Sequence, residues 1–129
     1  MQGKAWVATG SFLAFLAVVA GAFGSHGLSS RLEPEALEVY EVAVRYQLYH
    51  SLALILVGIL SQQAATKLTA AGWAFLSGIF IFSGSLYLLT LTGLRWLGAI
   101  TPLGGVAFLI GWFLLALKFC WISKTEPRE

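Results

Sequence analysis

The chain has 129 residues, of which 58% are hydrophobic and only 11% charged, and its formal net charge is +2. Soluble domains carry about 25% charged residues, and so few charges cannot cover a soluble surface without leaving large apolar patches. The composition therefore predicts a single membrane domain over residues 1–129, without the basic stripe typical of nucleic-acid binding. One cysteine, Cys120, excludes an internal disulfide and a multi-cysteine metal site.

Four long uncharged stretches predict four membrane-spanning helices. A helix needs about 20 apolar residues to cross the hydrocarbon core, and its backbone groups must be satisfied within the segment. We place the spans at about 5–25, 46–63, 68–92 and 97–121. The first run is longer than the apolar core of a secretory signal, so we interpret it as a retained span.

Residues 34–45, between the first two spans, predict a short amphipathic helix at the membrane surface. Pro34 suits the first helical position, and apolar residues from Leu37 onward recur on one face. Glu41 and Arg45 fall on the other face, four residues apart, where they can pair. We expect this helix to continue or bend into the second span. The other connections are short, so the predicted fold is all-α, an integral membrane four-helix up-down bundle.

The basic residues favour cytoplasmic termini. Four spans put both termini and the predicted 62–67 turn on one side, which carries five of the eight Lys and Arg residues. Basic residues concentrate in cytoplasmic loops, so we expect both termini in the cytoplasm. Trp6, Trp96 and Trp121 fall at predicted interfaces, where an aromatic belt is typical.

Polar residues from all four spans fall in the predicted non-cytoplasmic half of the bundle. Gln47 and His50 are three residues apart and share a helix face with Tyr46. Ionisable side chains at membrane depth usually face the bundle and mark functional sites. We predict a candidate polar cluster formed by His26, Arg45, Tyr46, Gln47, His50, Ser83, Ser85, Tyr87 and Thr101. Alternatively, these side chains form hydrogen bonds that only stabilise the fold, and we favour this interpretation for both histidines.

The sequence offers little support for catalysis. No carboxylate is placed to orient a histidine, and neither a nucleophile elbow nor a phosphate-binding glycine loop with its lysine occurs. We predict no catalytic residues, no metal site and no cofactor. The leading hypothesis is a non-enzymatic protein whose polar cluster binds membrane lipid, a small ligand or a partner, which would be a second copy or another membrane protein. The alternatives are an oligomeric minimal channel or transporter subunit and, third, a haem- or metal-binding redox membrane protein.

Four sequence blocks resemble those of a known family in order and spacing. They are GAFGSHGL at 21–28, YQLYHSLAL at 46–54, FSGSLY at 82–87 and ITPLGG at 100–105. The chain resembles the YgdD/YwdK family of small integral membrane proteins, also described as domain of unknown function 423, with transmembrane protein 256 as a eukaryotic relative. The resemblance implies a four-helix protein of the bacterial inner (plasma) membrane. It implies no activity, substrate or catalytic residue.

Overall fold

The computed structural model of the protein describes residues 2–63 and 67–125. In these residues four helices are long and apolar enough to cross a membrane, which confirms the predicted all-α membrane bundle. The helices are α1 (Gly3–Leu28), α2 (Pro34–Gln63), α3 (Thr69–Thr92) and α4 (Thr101–Thr125). The middle of the predicted 62–67 turn lies outside the described residues.

The predicted amphipathic segment is the beginning of α2 and not a separate helix. Helix α2 runs without a break for 30 residues from Pro34. Neither glycine nor proline occurs between Pro34 and Gly58, so no residue in this stretch favours a break. Glu35 occupies the first turn, where a carboxylate is stabilised by the positive end of the helix dipole. The surface segment and the second span are therefore continuous.

Helices α1 and α3 each contain a wider π-helical turn, at Gly24–Leu28 and Ile79–Ser83. Helix α3 then ends at Gly93, whose φ of 72° is the left-handed conformation typical of a glycine after a helix. A 3₁₀ turn at Arg95–Ala99 leads from there into α4. The reversal between α3 and α4 is therefore made within a few residues, as a tight helical hairpin requires.

Helices α1 and α2 form a closely packed antiparallel hairpin. A Cβ atom on Gly10 would lie 2.6 Å from the carbonyl oxygen of Ser51, and one on Gly58 would lie 2.6 Å from that of Gly3. Small residues allow membrane helices to approach closely, because association in lipid depends on packing and not on a hydrophobic driving force. The two glycines therefore set the distance between α1 and α2.

Helices α3 and α4 form the second hairpin by the same means. A Cβ atom on Gly104 would overlap the backbone of Phe82, which lies in the π turn of α3. A Cβ atom on Gly111 would lie 2.6 Å from the ring of Phe75. The backbone at Phe82 and the ring of Phe75 thus occupy positions that are available only because α4 carries glycine opposite them.

The two hairpins meet mainly where α2 packs against α3. The buried core at this contact includes Leu54, Val57, Phe75 and Phe108. Grooves remain on both sides of the contact, one between α2 and α4 and one between α1 and α3. In the described residues, the bundle is therefore a pair of hairpins with a groove on either side of the contact between them.

Tryptophan placement differs from the interfacial prediction at one position. Trp6 is only 1% exposed and contacts Trp73 edge to face, with ring centroids 5.5 Å apart. The interfacial prediction is therefore wrong for Trp6, because Gly72 leaves room for the indole between the hairpins. Trp96 is 61% exposed, as an interfacial residue would be, and the Trp121 side chain lies outside those described.

Candidate functional site

Gln47 connects three helices through its side-chain amide. Its Nε2 donates to the carbonyl oxygen of Leu13 on α1 at 2.9 Å, and its Oε1 accepts from the Tyr87 hydroxyl on α3 at 2.7 Å. The residue is only 6% exposed. A backbone carbonyl can only accept, so the orientation of the amide is fixed and both ends are used. The side chain is therefore a structural link between the hairpins.

Tyr40 extends this network, although it was not among the predicted site residues. Its hydroxyl donates to the carbonyl oxygen of Ala20 at 2.8 Å, and its ring lies 5.2 Å from that of Tyr87. Gly24 makes room for the ring, since a Cβ atom there would lie 2.7 Å from Tyr40. The sequence signal was available, because Tyr40 precedes Gln47 by seven residues and shares its helix face.

Three further predicted hydroxyl residues join neighbouring helices. Ser83 donates to the carbonyl oxygen of Ala43 on α2 at 2.8 Å. Ser85 and Thr101 form a hydroxyl pair at 2.6 Å, which connects α3 to the start of α4. Ser83, Ser85 and Thr101 are thus engaged within the protein. Gln47 and Ser83 line the groove between α1 and α3 together with Tyr87, whereas the pair of Ser85 and Thr101 lies outside its lining.

His50 has both ring nitrogens occupied. Its Nδ1 lies 2.7 Å from the carbonyl oxygen of Tyr46, and its Nε2 lies 3.1 Å from Nε1 of Trp112 on α4. The carbonyl can only accept and the indole N–H can only donate. These partners require the neutral imidazole with its proton on Nδ1: Nδ1–H donates to the Tyr46 carbonyl, and the unprotonated Nε2 accepts from Trp112. An imidazolium could not accept this bond, and a ligand would have to displace Trp112.

The imidazole of His50 is also held by aromatic stacking. It is 3.5 Å from the ring of Phe108 between centroids, at an interplanar angle of 7°. His50 is only 5% exposed. The stack and the two hydrogen bonds therefore fix the ring inside the bundle.

Three other predicted residues are exposed. His26 lies in the π turn of α1 and is exposed, away from the network around Gln47. Arg45 is exposed on α2, where it lines a groove with Tyr40 and Glu41. Tyr46 is 40% exposed and stacks on Phe82, with centroids 4.7 Å apart. The structure thus divides the predicted cluster into an interior network and separate surface positions.

An aromatic groove of about 460 Å³ lies beside His50, between α2 and α4. It opens on the outer surface of the bundle at membrane depth. Its lining is almost entirely apolar, with the ring edges of His50 and the tyrosines as the polar elements. The residues that form this aromatic groove are Tyr46, Tyr49, His50, Gly105, Phe108, Leu109 and Trp112.

Trp112 is the main residue of this groove that the sequence did not indicate. It lies on an apolar helix among leucines and phenylalanines, where a tryptophan resembles any lipid-facing residue. Only the packing of α4 against α2 shows that its N–H meets His50. Within the described residues, no three His, Cys, Asp or Glu side chains lie close enough together to hold a metal ion.

Comparison with known proteins relates the chain to membrane proteins of bacteria. The family model described as "Protein of unknown function (DUF423)" matches residues 20–105. UPF0382 membrane protein SAB0533 of Staphylococcus aureus (strain bovine RF122 / ET3-1) is 46% identical over 114 residues, which cover 88% of this chain and 93% of the relative. No solved structure matches the chain.

A relative from another genus gives the same result. UPF0382 membrane protein YwdK of Bacillus subtilis (strain 168) is 44% identical over 116 residues, which cover 88% of this chain and 94% of the relative. The family model covers the last nine residues of α1, all of α2 and α3, and the beginning of α4. The chain belongs to the DUF423 family of membrane proteins.

Proposed function

We propose that this member of the DUF423 family is a lipid-binding membrane protein whose aromatic groove holds the acyl chain of one phospholipid. The observation that carries the proposal is the groove itself. It has a volume of about 460 Å³, it is walled by aromatic rings, and it opens where the surrounding medium is the hydrocarbon of the bilayer. The bilayer consists of phospholipid acyl chains at this position, so an acyl chain is the expected occupant of the groove.

The walls of the groove are suited to retaining a chain because they are already ordered. His50 is fixed by two hydrogen bonds and by the Phe108 ring. Phe75 supports Trp112 edge to face, with ring centroids 4.9 Å apart. Ordering side chains on binding costs about 0.5–1.5 kcal/mol for each flexible group. A preformed wall avoids most of this cost, so a chain in the groove is held more tightly than one on a mobile surface.

The same geometry favours binding over transport or catalysis. The interior polar side chains have partners within the protein: Gln47 and Ser83 donate to backbone carbonyls of neighbouring helices, and Ser85 bonds to Thr101. Groups engaged in this way stabilise the bundle and do not provide a polar path for an ion. His50 has no free nitrogen with which to act as a base. A non-catalytic role is therefore the proposal.

Gly105 provides a way to fill the groove without disturbing the fold. A Cβ atom there would meet the Phe82 ring at 3.9 Å, an ordinary contact. Gly105→Leu therefore projects a side chain into the groove while leaving the α3–α4 contact intact. The matched control is Val106→Leu, because Val106 is the next residue, is 52% exposed and lies outside the groove.

The test is cross-linking to a phospholipid with a photoreactive diazirine in its acyl chain. After reconstitution and irradiation, adducts should concentrate on peptides that contain Tyr49 or Phe108. Gly105→Leu should reduce them several-fold, and Val106→Leu should leave them unchanged. Exposed residues of α1 such as Phe12 and Phe15 report ordinary lipid contact. Equal labelling of α1 and the groove, or an unchanged yield in folded Gly105→Leu, would refute the proposal.

The proposal includes a location in the bacterial inner membrane with both termini in the cytoplasm. It is supported by the basic residues, five of which lie on the side of the termini and three on the other. Cys120 is exposed near the end of α4 and is the sole cysteine. A membrane-impermeant maleimide should label it in inverted vesicles but not in intact spheroplasts. Labelling in intact spheroplasts would show that the end of α4 faces outward, and would refute the proposed orientation.

A further inference from the structure

Two charged residues of α2 are exposed toward the end of the bundle that lies away from the chain termini. Gly58 lies level with Gly3, next to Lys4, which marks one boundary of the bundle. Along the helix, Arg45 lies about 20 Å and Glu41 about 25 Å from that level. Arg45 therefore lies one helical turn closer to the middle of the bundle than Glu41 does.

Charged side chains on a membrane-spanning helix are stabilised by a partner of opposite charge. Arg45 and Glu41 are both exposed, and the part of the chain that the structure describes forms no ion pair with either. The i, i+4 pairing that their spacing allows is therefore not made. Both line a groove of about 190 Å³ between α1 and α2, together with Gly21, Ser25, Tyr40 and Val44. We call this the α1/α2 groove.

We propose that the α1/α2 groove binds the headgroup of a phospholipid with a primary ammonium group, of the phosphatidylethanolamine type. Arg45 binds the phosphate of the headgroup, and Glu41 binds its ammonium group. The order of the charges carries the assignment, since the phosphate of such a lipid lies next to the glycerol and its ammonium farther out. A guanidinium one turn deeper than a carboxylate matches this order. This groove is separate from the aromatic groove, so the two proposals stand or fall independently.

Two neighbours complete the groove. Ser25 is exposed beside Arg45, and its hydroxyl can donate to a phosphate oxygen. Gly21 leaves space on the α1 side, where an added Cβ atom would already touch Val44 at 3.4 Å. The long stem of Arg45 can lie along this apolar wall while its guanidinium reaches the headgroup layer. The ammonium donates N–H bonds to Glu41, which a choline headgroup cannot do.

Native mass spectrometry of the full chain can test this assignment. The protein would be extracted mildly from vesicles with equal amounts of phosphatidylethanolamine, phosphatidylcholine and phosphatidylglycerol. We expect the wild type to retain phosphatidylethanolamine preferentially. Arg45→Gln should lower its retention roughly fivefold, the factor for about 1 kcal/mol per cation near a membrane surface. Glu41→Gln should abolish the preference over phosphatidylcholine while phospholipid binding persists.

The controls are charge changes of the same kind outside the groove. Glu38→Gln lies on the same exposed part of α2, and Arg31→Gln lies in the connection before it. Neither should alter the lipid preference. Retention of all three lipids in equal amounts, or an effect of Glu38→Gln as large as that of Glu41→Gln, would overturn the proposal. Should Arg45→Gln fail to fold, the headgroup preference of Glu41→Gln still decides the question.

Two further outcomes identify a different occupant. Soluble O-phosphoethanolamine should not displace the retained lipid at concentrations comparable to the lipid, because the chains of the lipid anchor it in the bilayer. Displacement at such concentrations would overturn the assignment to a lipid. Dimers that weaken in Glu41→Gln and Arg45→Gln, with no change in retained lipid, would assign the groove to a second copy of the chain. Gly105→Leu should leave the preference for phosphatidylethanolamine over phosphatidylcholine unchanged, since that substitution affects only the aromatic groove.

Discussion

The hydrogen bond between Gln47 and Tyr87 is the interior contact whose contribution can be measured most directly. It joins the first hairpin to the second, because Gln47 lies on α2 and Tyr87 on α3. Tyr87→Phe removes only the hydroxyl and leaves the ring beside Tyr40. Gln47→Leu removes the amide at similar size, together with its bond to Leu13. The double variant lacks both partners.

The expected changes in the free energy of unfolding follow from removing one hydrogen-bond partner at a time. Hydrogen bonds between membrane helices contribute about 0.6 kcal/mol on average and about 1.7 kcal/mol at most. Leaving the other partner buried and unpaired costs about 1–3 kcal/mol. We expect Tyr87→Phe to lower the free energy of unfolding by about 1–2 kcal/mol and Gln47→Leu by about 2 kcal/mol. The double variant should cost about 1 kcal/mol less than the sum, because no orphaned partner remains.

The assay is reversible unfolding in mixed micelles with increasing dodecyl sulfate, followed by circular dichroism. Tyr46→Phe is the control, since Tyr46 is 40% exposed and its hydroxyl has no partner among the described residues. It should leave the unfolding free energy within about 0.5 kcal/mol of the wild type. Strict additivity of Gln47→Leu and Tyr87→Phe would show that the two side chains do not interact, and the structural link between the hairpins would be refuted.

Two other substitutions test the packing of α4. Gly104→Ala should destabilise the protein by about 1–3 kcal/mol, the cost of overpacking, because the new methyl overlaps the backbone of Phe82. Gly105→Ala should be neutral in the same unfolding assay, and equal effects of the two would contradict the close approach at Gly104. Trp112→Phe should cost about 1–2 kcal/mol, since it leaves Nε2 of His50 without its donor. A ¹⁵N spectrum of the imidazole should then report a changed Nε2 environment, and an unchanged spectrum would argue against the assigned tautomer.

Helical periodicity accounts for what the sequence could predict about this bundle. Gln47 and His50 share a face of α2 because they are three residues apart, and both side chains are buried. The uncharged runs gave the four helices, since bilayer thickness sets their length. The shared helix face depends on local residue spacing, and the length of the helices depends on the thickness of the bilayer. Both can be inferred from a single sequence.

Which residues the polar side chains bond to depends on how the helices are rotated and shifted against one another. The spacing of residues along one helix does not specify this. Ser85 meets Thr101 and His50 meets Trp112 because of how α4 is rotated and shifted against α3 and α2. The π turn at Ile79–Ser83 alters the rotation of α3 by an amount that composition does not reveal. The buried position of Trp6 likewise required knowledge of the gap at Gly72.

The division into two hairpins has a consequence for biogenesis. Membrane helices are inserted before they associate, in the order in which the ribosome delivers them. When α1 and α2 are in place, Gln47 can already bond to Leu13, but its Oε1 has no donor until α3 brings Tyr87. Until the second hairpin is inserted, the first hairpin therefore has an unpaired hydrogen-bond acceptor in the bilayer. The second hairpin supplies the donor. Quality-control machinery that detects unsatisfied polar groups in lipid would have, in Gln47, a marker of chains whose synthesis stopped halfway.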